Sequence, residues 1–512
     1  MVGKAFFENL GESLNPVFIK EMRQYFQNRR MVIFMGLLLI VQFIVALFFA
    51  SAMTLDADGD EGVAFFLLII FAGAALAVLL CSIGAEQRFA EERSDKELNY
   101  SMLTTLKPSA VIIGKLEGAM VMILCIFSML LPFLTAAYFM RGLSAVSLLI
   151  TLCLFPILVL YALAGIFAGS FGQKWVTVLF FVGIFNSAFA LIPAAFSIID
   201  DLIDRGSIDS TFWITVLVEY EIALLLGVML FLLSLAVVSP PKSNRLLPAK
   251  VYLFALPFLT LLLMLPFYIV YGPSDFPPDV VFFIEFAFCF FSVAVLGIIA
   301  VFETPTNSIR VYMKSPRNFL GRCLHFVFST GFSGSLILAF LILAIPVAMY
   351  PFGNLSGDET SRLCGFLCLL VSSLGYVVLS LFLSWRTKLP LPAWLWIIIF
   401  EVAGNVLSWV PVAVNDGEIH GIPFPVRIAS MLISPTYCFM ETIEESVAST
   451  MATAPRGGFF PLTYPHHALF WSLAVTGVLF LILLPAIVKA FRMHRRPDDG
   501  AVKPPTKEML KK

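Results

Sequence analysis

The densest chemistry in this chain lies between Ala85 and Lys115. Eight of the thirteen residues from Ala85 to Glu97 are charged (Glu86, Arg88, Glu91, Glu92, Arg93, Asp95, Lys96 and Glu97), although only 13% of the whole chain is. Ser94 followed three residues later by Glu97 has the spacing of a capping box, and Lys107-Pro108 has the form of a helix stop. The expected element is a short, ordered helix from Ser94 to Leu106, presented to water for docking. A second set of reactive groups is dispersed. Glu219, Glu221, Glu285 and Glu401 fall inside long apolar stretches. A carboxyl there is costly, so each is a candidate for a substrate path or a proton relay, with interhelical hydrogen bonding as the plainer role. Glu401 is the most central, whereas Glu219 and Glu285 lie within about two turns of one end of their stretches, where they can reach water. No Lys or Arg accompanies them within those stretches. His466-His467 opens the last apolar stretch and reads as an exposed pair rather than a metal site.

Other chemistries are missing. No Gly-x-x-x-x-Gly-Lys-Ser/Thr loop occurs, so the chain itself does not cradle ATP in that manner and no cofactor is expected on it. No Gly-x-Ser-x-Gly is present. The eight cysteines include no CxxC and lie mostly within apolar stretches, which indicates neither a disulfide framework nor a zinc site.

The elements that carry these residues follow from composition. With 60% hydrophobic residues, 52 phenylalanines and a mean hydropathy of +0.94, a soluble globular fold is excluded. The expected fold is all-α, a polytopic bundle of transmembrane helices, because only helices satisfy their backbone within a stretch of about 20 apolar residues. Twelve spans are expected: 32–53, 62–83, 118–138, 144–170, 175–199, 212–238, 251–271, 280–301, 328–350, 363–384, 391–413 and 467–491. With both termini in the cytoplasm, 28 of the 33 Lys and Arg residues fall on the inner side. Only Arg141, Arg205, Arg362, Arg427 and Arg456 fall outside, and the outer loops are acidic. The net charge of −1 hides this sidedness, and nucleic acid is not an expected partner. The N-terminus is not a cleavable signal, since some thirty polar and amphipathic residues precede the first span.

Asn15-Pro16 forms a helix start, and Phe18, Ile19, Met22, Tyr25 and Phe26 then recur on one face while Lys20, Arg23, Gln24 and Gln27 take the other. An interfacial helix on the cytoplasmic leaflet is expected there. The chain divides into a cytoplasmic N-terminus (1–30), a first six-span domain (31–238), a Pro-rich basic linker (239–250), a second six-span domain (251–491) and a basic tail (492–512). In each half the longest cytoplasmic loop follows the second span, and Glu303 to Arg322 reads as a decayed copy of the first such loop. The outer 414–466 loop is the long exception.

Two of these segments together resemble ABC-2 type permeases, the membrane subunits of a class of ABC transporters. The amphipathic Asn15-Pro16-Val-Phe18-Ile-Lys20-Glu21-Met-Arg23-Gln helix is similar to that family's elbow helix. The charged run Glu91-Glu92-Arg93-Ser94, followed by Glu97-Leu98, Thr104-Thr105 and Lys107-Pro108 and then by Gly114-Lys115-Leu116, is similar to its loop after the second span. The family usually has Gly-Thr before that loop's helix, where this chain has Ser94-Asp95, and Pro directly after Thr-Thr, where this chain has Leu106; it also usually has six spans. The resemblance implies a coupling helix that docks on a cytoplasmic ABC ATPase subunit, where ATP would be hydrolysed. It also implies a cell-membrane transporter, exporting or flipping its substrate, that works as a doubled chain, as a homodimer or with a second permease chain. A proton-coupled secondary transporter using the buried glutamates is the first alternative; a membrane-embedded lipid or polysaccharide enzyme is the second.

Overall fold

The computed structural model describes residues 15–27, 29–52, 61–94, 107–139, 145–172, 210–240, 244–275, 278–303, 316, 318–329, 331–349, 367, 371, 374–383 and 464–493. Among these every regular element is a helix, and seven helices are long and apolar enough to cross a membrane, eight if one bent pair counts as a span. The protein is a membrane-embedded, multi-pass helical bundle. It divides into two compact units, Met1–Ser239 and Pro240–Lys512.

The first unit begins with α1 (Pro16–Gln27) and α2 (Arg29–Ala52). α3 (Glu61–Ala77) runs through a π-helical segment, Val78–Ile83, directly into α4 (Gly84–Ser94). α5 (Pro108–Phe139), α6 (Ala145–Gly169) and α7 (Ser210–Val238) complete it. Its core joins Leu38 of α2, Phe65, Phe66 and Ile69 of α3, Met122, Ile123 and Ile126 of α5, and Leu158 and Ala162 of α6. In the second unit, α8 (Leu247–Asp275) and α9 (Pro278–Phe302) pair. α9 also packs along α11 (Phe332–Met349), which is preceded by the short α10 (Phe319–Phe328). α12 (Tyr464–Met493) is the last helix.

Nine of the expected spans overlap these long helices. The segments 175–199 and 391–413 lie outside the described residues, and 363–384 is described mainly as the short apolar helix Leu374–Leu383. Three helix ends differ from expectation. The second span does not stop where its apolar run ends at Ile83 but continues through the charged residues to Ser94. Ser94 therefore closes a helix, where a capping box would have it open one. Pro108 is the first residue of α5, a position its fixed φ suits, so it starts a helix here. Lys250, expected in the linker, is the fourth residue of α8.

Two pairs of glycines spaced by four admit close helix contacts in the first unit. A Cβ on Gly165 would lie 2.2 Å from the Ser82 carbonyl oxygen, and one on Gly169 would lie 2.5 Å from that of Glu86. α6 thus meets the π-segment and α4 backbone to backbone, and Ser82 Oγ donates to the Tyr161 carbonyl at 2.7 Å. This is the small-residue contact that lets membrane helices approach closely. Gly114 and Gly118 of α5 form the second pair. They seat α1: Cβ atoms there would lie 2.8 Å from Val17 Cβ and 3.2 Å from Glu21 Cβ.

Candidate functional site

The strongest concentration of buried charge gathers where α1, α4 and α5 meet. Asn15 begins it. Its Oδ1 accepts the Val17 N–H at 3.1 Å, capping α1, while its Nδ2 donates to the Ala110 carbonyl at 2.5 Å in the first turn of α5. The starts of α1 and α5 are thereby stapled together. One turn further along α1, Glu21 points into the protein and is only 3% exposed. The apolar pattern of α1 does not anticipate this: the residues it buries are Glu21 and Tyr25, whereas Ile19 and Phe26 remain exposed.

What receives Glu21 is Lys115, buried on α5, whose Nζ donates to Glu21 Oε1 and lies 2.9 Å from Glu92 Oε2. Glu92, on α4, takes a second cation at its other oxygen, with Lys20 Nζ 2.7 Å from Oε1. Arg88 closes the cluster, its guanidinium 3.5 Å above the Tyr25 ring and 3.9 Å from Glu21 Oε2. Lys115 also stands 4.8 Å from the Phe89 ring centre. Burial pushes the Tyr25 hydroxyl above its ordinary range, against the opposing pull of Arg88, so it stays neutral. Each buried charge therefore meets an opposite one, the condition for tolerating it away from water.

This cluster bears directly on the expected docking segment. Glu92 flanks that segment on one side and Lys115 on the other. Arg93, immediately before it, reaches the Val237 carbonyl of α7 at 3.5 Å, with Gly172 (φ +62°) lying against its side chain. Glu91 is exposed. Glu97, Leu98, Thr104 and Thr105 lie outside the described residues. Of the elbow residues, Asn15, Lys20 and Glu21 join the network, Phe18 is half-buried beside Gly114, Arg23 is exposed, and Pro16 opens α1.

Of the four membrane carboxylates, Glu221 and Glu285 have described side chains. Glu401 lies outside the described residues, and Glu219 is on α7 with its side chain undescribed. Glu221 is half-buried on α7, and its Oε1 is buried without a hydrogen-bond partner. Glu285 does not reach water as expected: it is 4% exposed, taking the Thr260 hydroxyl from α8 at Oε2 and the Cys289 thiol at 3.8 Å on Oε1. Thr260 has one hydroxyl proton but also lies 2.8 Å from the Pro257 carbonyl.

Sequence reasoning missed a second network altogether. Lys250 is fully buried; its Nζ donates to Glu303 Oε2 at 3.2 Å and to the Ser329 carbonyl at 2.7 Å, and Ser335 Oγ donates to Glu303 at 2.7 Å. The available signal was a lone lysine at the edge of an apolar run and a glutamate at the end of the next one. Gln42 was missed as well. It sits midway along α2, 2% exposed, with both amide atoms unpartnered. Comparison with known proteins supplies no relative: no family model matches the chain, and no curated protein or solved structure matches it.

Proposed function

We propose that this chain is the permease subunit of an ABC-2 type transporter. In this reading it has twelve spans in two sets of six with both termini cytoplasmic, and α1 lies at the inner surface of the cell membrane. A separate cytoplasmic ATPase hydrolyses ATP and drives export or flipping of the substrate. The observation that carries the reading is the Lys20–Glu92–Lys115–Glu21 network. It ties both flanks of the 95–106 segment to the elbow helix, so a push on that segment moves α1, α4 and α5 together. Transmission needs such stiffness, and α4 continues unbroken into the spanning α3. The segment pattern and the basic sidedness of the loops support the same reading.

The test is recovery of the partner. Affinity purification of the solubilised full-length chain from its native membranes should bring down a P-loop ATPase. Reversing Glu91 and Glu97 to Lys should reduce the amount recovered without changing the elution volume of the chain itself. If the chain purifies alone and moves substrate under a proton gradient without ATP, the reading fails. The buried Glu285, which accepts the Thr260 hydroxyl and has no cation beside it among the described residues, favours a proton-coupled carrier as the second reading. Glu285→Gln would then abolish transport. A membrane-embedded enzyme would require its groups in the 414–466 loop, of which 414–463 lies outside the described residues.

A further inference from the structure

The sequence places Phe319 to Val327 in a loop and Phe328 at the start of a span, yet Phe319–Phe328 forms a ten-residue helix, α10, whose axis is turned 94° from that of α11. Ten residues reach only about 15 Å, half the hydrocarbon thickness, so α10 cannot cross a bilayer that α11 enters. The turn between them is built in. Gly331 takes φ +146°, a conformation that favours glycine, and a Cβ on Gly334 would lie 2.5 Å from the Val327 carbonyl oxygen. Lys250 donates to the Ser329 carbonyl at the turn, and through Glu303 and Ser335 the turn is fixed to α8, α9 and α11.

The two sides of α10 differ. Phe319 and Leu320 are each 72% exposed and Leu324 is 54% exposed. At 100° per residue these three fall in one arc with Cys323 and Val327, while Arg322 and His325 fall opposite. The depth of the helix is marked independently. Phe326 and Phe319 pack against the Phe491 ring, with centroids 5.2 and 6.3 Å apart, and Phe491 stands at the end of α12 immediately before the exposed Arg492. α10 is therefore level with the end of a spanning helix, where hydrocarbon gives way to headgroups. Arg310, Lys314 and Arg317 precede it in sequence, and Arg495 and Arg496 follow α12.

We infer that α10 lies in the plane of the membrane, inserts Phe319, Leu320 and Leu324 between acyl chains, and binds anionic lipid headgroups through Arg322. A short helix with a broad apolar arc, a cationic opposite side and a position at the interface is what such binding requires. The right-angle turn held by Lys250 keeps the arc facing the leaflet. This inference rests on the membrane-embedded fold alone and is independent of the permease reading.

The experiment places an environment-sensitive fluorescent amino acid at Leu320 in the full-length protein. The protein is reconstituted in vesicles of phosphatidylcholine, alone or mixed with phosphatidylglycerol. Emission should shift to the blue relative to the free fluorophore, iodide in the water should quench it several-fold less, and a doxyl label near the headgroup should quench it more than one near the chain end. Phosphatidylglycerol should increase the shielding from iodide, and Arg322→Gln should remove that increment while leaving the phosphatidylcholine value unchanged. Iodide quenching equal to that of the free fluorophore would overturn the proposal, because the helix would then stand in water. Stronger quenching from the chain-end label would overturn it too, since α10 would be part of a broken span. An absence of any phosphatidylglycerol effect would refute the anionic preference.

Discussion

In each unit of this protein an acid at the far end of the second long apolar helix ties that helix to its neighbours, and the two acids are held in different ways. In the first unit Glu92, at the end of α4, takes Lys20 from α1 and Lys115 from α5. In the second, Glu303, just past α9, takes Lys250 from the start of α8 and the Ser335 hydroxyl from α11. The parts correspond: a lysine before or at the first span, a glutamate ending the second, and a donor at the start of the third. This is the most specific likeness between the halves, and it lies in residues whose surrounding sequences are not alike. The difference is in charge and water. The first network contains three cations and two acids, with Lys20 44% and Glu92 14% exposed. The second is a single ion pair, 0% and 5% exposed, completed by a hydroxyl and a carbonyl. A sealed pair suits a permanent staple, whereas a network that reaches water at one edge can respond to what docks beside it.

Removing one partner of each pair separates these roles, and the sealed pair should give the larger effect. Lys250→Met leaves Glu303 buried without its cation and frees the Ser329 carbonyl, so a loss of about 3–5 kcal/mol is expected. The readout is a lowered midpoint of thermal unfolding in detergent. Lys250→Met combined with Glu303→Leu should recover most of that loss, because no buried charge then remains unpaired. If the single variant unfolds at the wild-type temperature, the pair is not a staple and the comparison fails at its firmest point.

Lys115→Met should cost less, roughly 1.5–3 kcal/mol, since Glu92 keeps Lys20 and Glu21 keeps Arg88 nearby. Its second expected effect is that α1 loosens, seen as faster proteolysis within residues 15–27. Gly114→Val tests the same attachment by shape instead of charge. The new side chain meets Val17 and the backbone of Phe18, and overpacking of this kind costs about 1–3 kcal/mol. If Gly114→Val and Lys115→Met both leave α1 as resistant as wild type, the network does not hold α1.

The spanning helices were legible because a long apolar run has few alternatives to a helix in a bilayer. Their ends were not. The run ending at Ile83 gives no sign that the helix continues to Ser94, because the charges that follow are stabilised by residues on other helices, Lys20 and Glu21 of α1 and Lys115 of α5. Lys250 read as linker for the same reason: three prolines and basic neighbours described its surroundings, and Glu303, fifty-three positions on, decided its fate. Glu21 was legible as part of an amphipathic helix and illegible as a buried ion, since its partner Lys115 is ninety-four residues away. The glycine pairs Gly114/Gly118 and Gly165/Gly169 were visible as spacings, yet a spacing does not say which helix it admits.

The smallest expected effect makes the comparison sharpest. Lys20 is nearly half exposed, so Lys20→Ala removes a contact that water and salt already weaken, and a cost of about 0.2–1 kcal/mol is expected. Its value lies in how that cost varies. Raising the ionic strength to 1 M shortens the screening length to about 3 Å, and the difference between wild type and Lys20→Ala should then vanish. The difference between wild type and Lys250→Met should persist at the same salt, because ions do not enter a fully buried pair. If both differences respond equally to salt, the two networks are electrostatically alike, and the assignment of one to docking and the other to architecture must be abandoned.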